Sequence, residues 1–478
     1  MIVLRRSFFL LIVTSLITSS AAFCASRMTV ANGDSIGAKL WEERADSAQT
    51  ALDKNFWFSQ AELYYSNSVY GKTRNYWWQA HALDALGMGY RRTGDSFYTG
   101  RMTALDQGIA GSGGFTDNYY DDMEWMALAL LRSYEATGTS YYLNQAQSLW
   151  TTIKGGWSLS PGGGGIRWST NTMYKNIPAN APACILACKL YRDFGDTANL
   201  TWAENIHAWI DSNLVNHQTG VILDGISYSG SVGTPNYGSY SYNYGTYVGA
   251  SLELYQVTHD TSYLSEAVKE AGTADSIFAP TNGILRSEGT GDGGLFNGIY
   301  MYYLANLIRE PALNDTLRVR FEDFLLTNAD TLWNYGQRPG VGLFNDNWQV
   351  PPTGIVSLSV ELSGVTTVEA VAEMYDDSAL TAIQPMGSAI PQMFHLYQNF
   401  PNPFNPTTEI SYRLSAKSFV TLRVYDVLGR LVSTLVNSKE DAGSYTLTFS
   451  GVGLASGIYF YELKAGDYSS VKKFALIK

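Results

Sequence analysis

The sequence predicts an all-α (α/α)6 toroid followed by a small all-β immunoglobulin-like sandwich. Three observations carry that reading. A helix-ending turn recurs along the first three quarters of the chain; long links rich in Gly and aromatic residues alternate with it; and near residue 394 the patterning switches from helical to strictly alternating.

The chain of 478 residues begins with Arg5 and Arg6, an apolar run from Ser7 to Ile17 and the small residues Ser20, Ala21 and Ala22. Residues 1–22 therefore read as a secretory signal peptide cut after Ala22, too short to span a bilayer. The alternative, lipid attachment through Cys24, is disfavoured by the bulky Phe23 before it. No later apolar run approaches the ~18 residues of a membrane span. Of the three cysteines, Cys184 and Cys188 lie four apart on one helix face and read as small core residues. Net charge is −11; residues 391–478 hold nine Lys/Arg against six Asp/Glu, so the remainder carries −14. An acidic body argues against nucleic acid and suits a neutral polymer such as a glycan.

Residues 23–376 are assigned to the toroid. The turn appears as YRRTGDSFY from Tyr90, YEATGTSYY from Tyr134, YRDFGDTANL from Tyr191 and YQVTHDTSYL from Tyr255, with a degenerate copy from Ile308. Each ends an amphipathic stretch, usually offers a Gly for the left-handed position, and follows with Asp, Ser or Thr as the next helix cap. Spacings of 44, 57, 64 and 53 residues measure successive antiparallel helix pairs. Reading outward from the turns predicts helices over 38–66, 75–93, 95–107, 120–137, 139–153, 173–193, 198–214, 243–258, 261–276, 295–309, 313–333 and 365–376. Twelve helices make six hairpins, and six hairpins close a ring. Because the short turns share one end, the long links all emerge at the other, where function concentrates on a rigid scaffold.

After a linker over 377–393, residues 394–478 carry alternating runs such as SFVTLRVYDV and GIYFYELKAG, separated by Gly-containing turns, as expected of a β-sandwich. The stretch LYQNFPNPFNPTTEISYRL together with GIYFYELKAGDYSSVKKFALIK resembles the C-terminal sorting domain of the type IX secretion system. That resemblance implies the secretion machinery as a partner, passage through the periplasm, and release or attachment at the cell surface.

The candidate chemistry lies in FTDNYYDDMEW, where Asp121 and Asp122 open a helix directly after the Gly-rich link GIAGSGGFTDNYY. Two neighbouring carboxylates in an aromatic cleft are what glycosidic hydrolysis needs, one holding a proton for the leaving oxygen and one ionised. Like charges side by side divide those roles, and a helix N-terminus favours one anion. Adjacent helical positions differ by about 100°, so carboxyl separations of roughly 5 to 9 Å are reachable and retention and inversion both stay open. The competing reading is an ordinary acidic first turn. No HExxH pair or zinc constellation occurs among the five histidines, the Gly-rich loops lack a phosphate-loop setting, and Gly225-Ile226-Ser227-Tyr228-Ser229 lacks the final Gly of a hydrolase elbow. No cofactor and no metal are expected.

The segment YYDDMEWMALALLRSYEATG resembles the catalytic segment of glycoside hydrolase family 76, the endo-α-1,6-mannanases. NYWWQAHALDAL, GGGIRWSTNTMYKNIPANAPA, YSYNYGTYVGASLELY and GLFNGIYMYYLANL extend the likeness over residues 38–376. The resemblance implies a secreted, retaining, endo-acting hydrolase of α-1,6-mannan, with Asp121 as nucleophile and Asp122 as general acid/base. Tyr120, Trp168, Lys175, Asn176, Asn180, Tyr242 and Asn243 are the implied substrate-binding residues. Where the family commonly reads Tyr-Asn-Gln-Gly, this chain has Tyr242-Asn243-Tyr244-Gly245, a ring in place of an amide. A transglycosylase on α-mannosyl glycans and an inactive surface glycan-binding protein are the alternatives, and the chain is expected to act as a monomer.

Overall fold

The computed structural model describes residues 35–71, 75–375, 395–396, 399, 404–414, 416–441, 443–466 and 468–477. The expected signal peptide and linker lie outside the described residues. The chain divides into two compact units at residues 380/381.

The first unit contains twelve helices among its described residues: α1 (Ser35–Phe56), α2 (Tyr76–Thr93), α3 (Ser96–Gly111), α4 (Tyr120–Thr137), α5 (Ser140–Lys154), α6 (Ala181–Phe194), α7 (Thr197–Leu214), α8 (Ser241–Thr258), α9 (Thr261–Phe278), α10 (Gly293–Arg309), α11 (Asp315–Asn334) and α12 (Leu358–Tyr375). The even-numbered helices pack each on the next, and α12 packs back on α2, so they close an inner ring. The odd-numbered helices cover it from outside, each against an inner neighbour. Burial follows from that arrangement. Inner α4 buries every residue from Met123 to Ser133, whereas outer α5 buries only Tyr142, Ala146, Leu149, Trp150 and Ile153, a single stripe at helical spacing.

Three of the short turns end on Gly94, Gly138 and Gly195 with φ of 67°, 69° and 72°, and the fourth places His259 in the same left-handed region at 59°. Asp95, Asp196 and Asp260 then cap α3, α7 and α9 by accepting from the backbone N–H two residues on. Every long link consequently enters an inner helix at its N-terminus, and six such N-termini share one end of the ring.

Three predicted bounds differ from the structure by seven or more residues. The helix expected over 38–66 stops at Phe56, and the aromatic run beyond it forms a small hairpin, β1 (Trp57–Phe58) with β2 (Leu63–Tyr64). The helix expected from residue 173 starts at Ala181 with Pro182 in its first turn, and the preceding residues form β3 (Tyr174–Asn176). The last helix starts at Leu358, seven residues before its predicted start; Ser, Val and Gly are poor helix formers, but every residue from Leu358 to Met374 is buried, and packing overrides propensity. The α7–α8 link carries β4 (Val215–Asn216), β5 (Val221–Ile222), β6 (Gly225–Ser229) and β7 (Val232–Asn236); β3, β6 and β7 form one antiparallel sheet, β6 in the middle.

The second unit is β-rich: β8 (His395–Leu396), β9 (Thr407–Leu414), β10 (Ser418–Asp426), β11 (Leu431–Glu440), β12 (Gly443–Ser450), β13 (Gly457–Ala465) and β14 (Tyr468–Leu476). They pair antiparallel in two sheets ordered β11-β10-β13-β14 and β12-β9-β8. Alternate residues of both sheets, Val420, Leu422 and Val424 from one and Ile410, Tyr412 and Leu414 from the other, enter one apolar core with Phe404 and Phe474.

Candidate active site

Helix α4 is fixed at its start by the α5–α6 link. The Tyr120 N–H donates to the Trp168 carbonyl at 2.9 Å, and Asp117 accepts from the Asn118 and Tyr119 N–H groups to turn the chain into the helix. Asp121 and Asp122 follow in the first turn, partly exposed at the mouth and desolvated by its walls.

The two carboxyls differ in their partners. Asp121 Oδ2 accepts from the Trp168 indole N–H at 3.0 Å, and its Oδ1 is buried. Burial pushes the Asp121 carboxyl up to about 7, opposed by the Trp168 bond and by the backbone N–H groups of the helix start. Burial also drives Asp122 well above the usual carboxylate range, and the charges of Asp121, Asp117 and Asp292 push it further, with no opposing donor. The two carboxyls therefore sit in unequal surroundings, with hydrogen-bond donors that favour the anion gathered at Asp121. One turn below, on the same face, Glu124 is fully buried and held protonated, first by burial and then by the charge of Asp121.

The walls are aromatic. Tyr119 lies 4.8 Å from Trp168 between ring centroids, and Tyr242 stacks on Phe296 at 3.9 Å. Burial raises the Tyr242 hydroxyl, and the charges of Asp224 and Asp121 add to it. Across the mouth the indoles of Trp77 and Trp78 both donate to Asp292 Oδ1, at 3.0 and 3.2 Å. Trp78 is buried and Trp77 half-buried, yet the two converge on one carboxylate.

The other predicted binding residues lie behind this surface. Lys175 is fully buried and its ammonium donates to the carbonyls of Ser158 at 2.6 Å, Pro161 at 2.7 Å and Gly164. Asn180 clips the same link, accepting from the Ile166 N–H at 2.7 Å and donating to the Ile166 carbonyl at 2.9 Å. Asn176 is buried and accepts from the Ala179 N–H, and the Tyr120 ring packs beneath Gly156. Asn243 is buried and donates to Asp224 at 3.0 Å. Tyr244, the ring in place of an amide, faces the outer wall, where its hydroxyl accepts from the Ile222 N–H at 3.0 Å and its ring meets Phe278 edge-on.

Three acids at the mouth escaped sequence reasoning. Asp224 accepts from the Tyr174 hydroxyl and from the amides of Asn236 and Asn243. Asp292 immediately precedes α10, and Glu288 receives the N–H and hydroxyl of Ser241 at the start of α8. The available signal was positional: each is an acid within a Gly-rich link that leads into an inner helix. Among the described residues no group of three or more His, Cys, Asp or Glu is placed to hold a metal ion, and no helix is long and apolar enough to cross a membrane.

Residues 40–382 match Glycosyl hydrolase family 76. The chain belongs to that family. The family 76 domain is similar to the GH76A α-1,6-mannanase of Salegentibacter sp. HEL1_6, with 39% identity, 70% of this chain and 99% of that one covered, and a TM-score of 0.67. An inactive variant of the same Salegentibacter protein, with two neighbouring aspartates changed to asparagine, is similar to the same degree, at 38% identity and a TM-score of 0.67, and holds α-1,6-mannotriose. Mannan endo-1,6-alpha-mannosidase DCW1 of Saccharomyces cerevisiae is 26% identical over 247 residues, 45% of this chain and 54% of the yeast protein. The chain spans about half the length of the curated relatives it matches. Residues 398–478 match the Secretion system C-terminal sorting domain, which assigns this family 76 chain to the type IX route, to the cell surface or outside.

Proposed function

We propose that this chain is a secreted, retaining endo-hydrolase of α-1,6-mannan in which Asp121 is the nucleophile and Asp122 the general acid/base. The observation that carries the assignment is the asymmetry of the pair. Asp121 receives the Trp168 N–H and the amide dipoles of the helix start, which favour its ionised form, whereas burial first, and then the surrounding acids, favour the protonated form of Asp122. Asp122 gives its proton to the glycosidic oxygen as Asp121 attacks the anomeric carbon. With its proton gone, Asp122 then takes one from a water that displaces Asp121 from the sugar. The names of the Salegentibacter and yeast relatives support α-1,6-mannan as the substrate.

Trp168, Tyr242 and the Trp77–Asp292 wall form the sugar-facing surface in this reading. Lys175, Asn176, Asn180 and Asn243 hold the links that shape it. Residues 1–22 serve as signal peptide, the C-terminal unit folds as an immunoglobulin-like sandwich, and the protein acts as a monomer.

Digestion of a panel of α- and β-linked polysaccharides, with the anomeric configuration followed by NMR, tests the proposal. An α-configured first product from α-1,6-mannan is expected. A β-configured first product overturns retention, activity confined to another glycan overturns the substrate, and mannosyl transfer to a sugar hydroxyl in place of water identifies a transglycosylase.

A further inference from the structure

A cavity of about 390 Å³ lies on the outer wall of the ring, lined by Trp157, Ala198, Thr201, Trp202 and Asn205. Four of those residues come from the first half of α7, an outer helix that begins at the short turn of Gly195, away from the mouth. Trp157 belongs to the α5–α6 link. That link presents Trp168 to Asp121 on one side and Trp157 to Trp202 of α7 on the other.

The two rings make a corner. Trp157 and Trp202, both half-buried, stand 5.6 Å apart between centroids with their planes at 90°. They are fixed from behind: Trp150 meets Trp202 edge-on at 6.1 Å, and Gly164 backs Trp157 so closely that a Cβ there would collide with the ring. Trp150 and Trp209 donate their indole N–H groups to Asn199 and to the Gly162 carbonyl, both at 2.9 Å. Those of Trp157 and Trp202 have no protein partner among the described residues. Thr201 and Asn205, exposed and four apart on α7, add a hydroxyl and an amide at the rim, and no charged side chain lines the cavity. Fixed ring faces with neutral donors and acceptors suit a sugar, whose C–H faces pack on rings while its hydroxyls take the hydrogen bonds, and they give an ion no partner. The volume falls within the ~300–1,000 Å³ of small-ligand sites. All twelve tryptophans lie between residues 41 and 348, so the C-terminal unit has no indole with which to hold a glycan.

We propose that this tryptophan corner is a second glycan-binding site, separate from the cleft, that holds α-mannosyl units of the polymer on the outer wall. The inference rests on the mannan-hydrolase reading above. A polymer tethered at the corner raises the local concentration of scissile bonds at the mouth without touching the acids, and an oligosaccharide too short to span both places gains nothing.

The test is fluorine NMR of the full chain, labelled with fluorotryptophan and carrying Asp122→Asn, titrated with α-1,6-mannotriose; resonances are assigned by replacing each Trp with Phe in turn. Saturable shifts are expected at Trp157 and Trp202 as well as at Trp168 in the cleft. Thr201→Arg fills the corner from an exposed position on α7, abolishes the Trp157 and Trp202 shifts and leaves that of Trp168. In the active chain Thr201→Arg raises KM on polymeric α-1,6-mannan by at least about threefold and leaves kcat/KM on the shortest cleaved oligosaccharide unchanged. If Thr201→Arg lowers Tm, Asn205→Arg on the same rim replaces it. Trp157 and Trp202 resonances that stay unmoved while Trp168 shifts, or that still shift in the Arg variant, overturn the second site. An unmoved Trp168 together with failure of the active chain to cleave any α-1,6-mannan overturns instead the function on which the inference rests.

Discussion

The two ends of the helical ring treat buried carboxylates in opposite ways. At the short-turn end the buried Glu369 meets Arg92 at 2.9 Å and the buried Glu373 meets Arg91 at 2.6 Å, and the more exposed Glu135 and Glu253 share Lys189 and Arg192. Arg91, Arg92 and Arg192 lie in the last turns of inner helices, where they also complement the helix dipoles. At the mouth, Asp121, Asp122 and Glu124 have no ion-pair partner among the described residues, and backbone amides and one indole do what guanidinium groups do below. The far end pairs its carboxylates with cations; the mouth leaves desolvated carboxyls raised above their ordinary range.

The sharpest way to break the comparison is isosteric neutralisation at each end. Asp121→Asn and Asp122→Asn are each expected to lower cleavage of α-1,6-mannan by at least about 10³-fold while Tm holds or rises, because each replaces a desolvated carboxyl that has no ion-pair partner by a neutral amide of the same size. Cleavage is read by release of reducing ends. Retained turnover in both variants would end the catalytic assignment. Arg92→Met should do the reverse, costing about 3–5 kcal/mol by leaving Glu369 unpaired where it is fully buried. Chemical denaturation measures that loss, and activity per folded molecule should not change.

Two smaller effects sharpen the contrast. Trp168→Phe removes the donor that holds Asp121 down, so the acid limb of the pH–rate profile moves to higher pH, and kcat/KM falls about tenfold or more. An unmoved limb would show that the indole does not govern the ionisation of Asp121. Across the domain, burial lifts Glu361 to about 8 and Glu288 to about 7, both at the mouth. The folded state then holds protons that the unfolded chain releases near pH 4.5, so stability declines as pH rises from about 5 to 8. Glu135 runs the other way: burial works to raise it, but Lys189 and Arg192 hold it below its ordinary value. Glu369 stays raised by burial even with Arg92 beside it. Glu361→Gln should flatten the decline in thermal melts taken across that range, and an unaltered slope would place the proton uptake elsewhere.

Much of the ring was legible because its punctuation is local. A left-handed Gly followed by a capping Asp is a signal within a few residues, and Gly94-Asp95 and Gly195-Asp196 both produced the turns expected of them. The acidic pair was legible because two carboxylates before MetGluTrp conflict with burial. Long-range partnership was not. Nothing near Lys175 in the sequence distinguishes a lysine reaching for a sugar from one enclosed by three carbonyls, since those carbonyls belong to residues 11 to 17 positions earlier. The convergence of Trp77 and Trp78 on Asp292, more than 200 residues away, depends on ring closure. The start of α12 was missed because its SerLeuSerValGluLeuSerGly run has no amphipathic period; a helix buried on all sides needs none.

The enclosure of Lys175 has a consequence for a protein that works outside the cell. The link that presents Trp168 is folded around a positive charge, as a calcium loop is folded around its ion, but here the ion is covalently attached to the chain. Chelators and fluctuating salt cannot extract it. Alkali is the one solvent condition that can discharge it, because burial, and then the nearby charge of Arg167, bring the ammonium down to about 8.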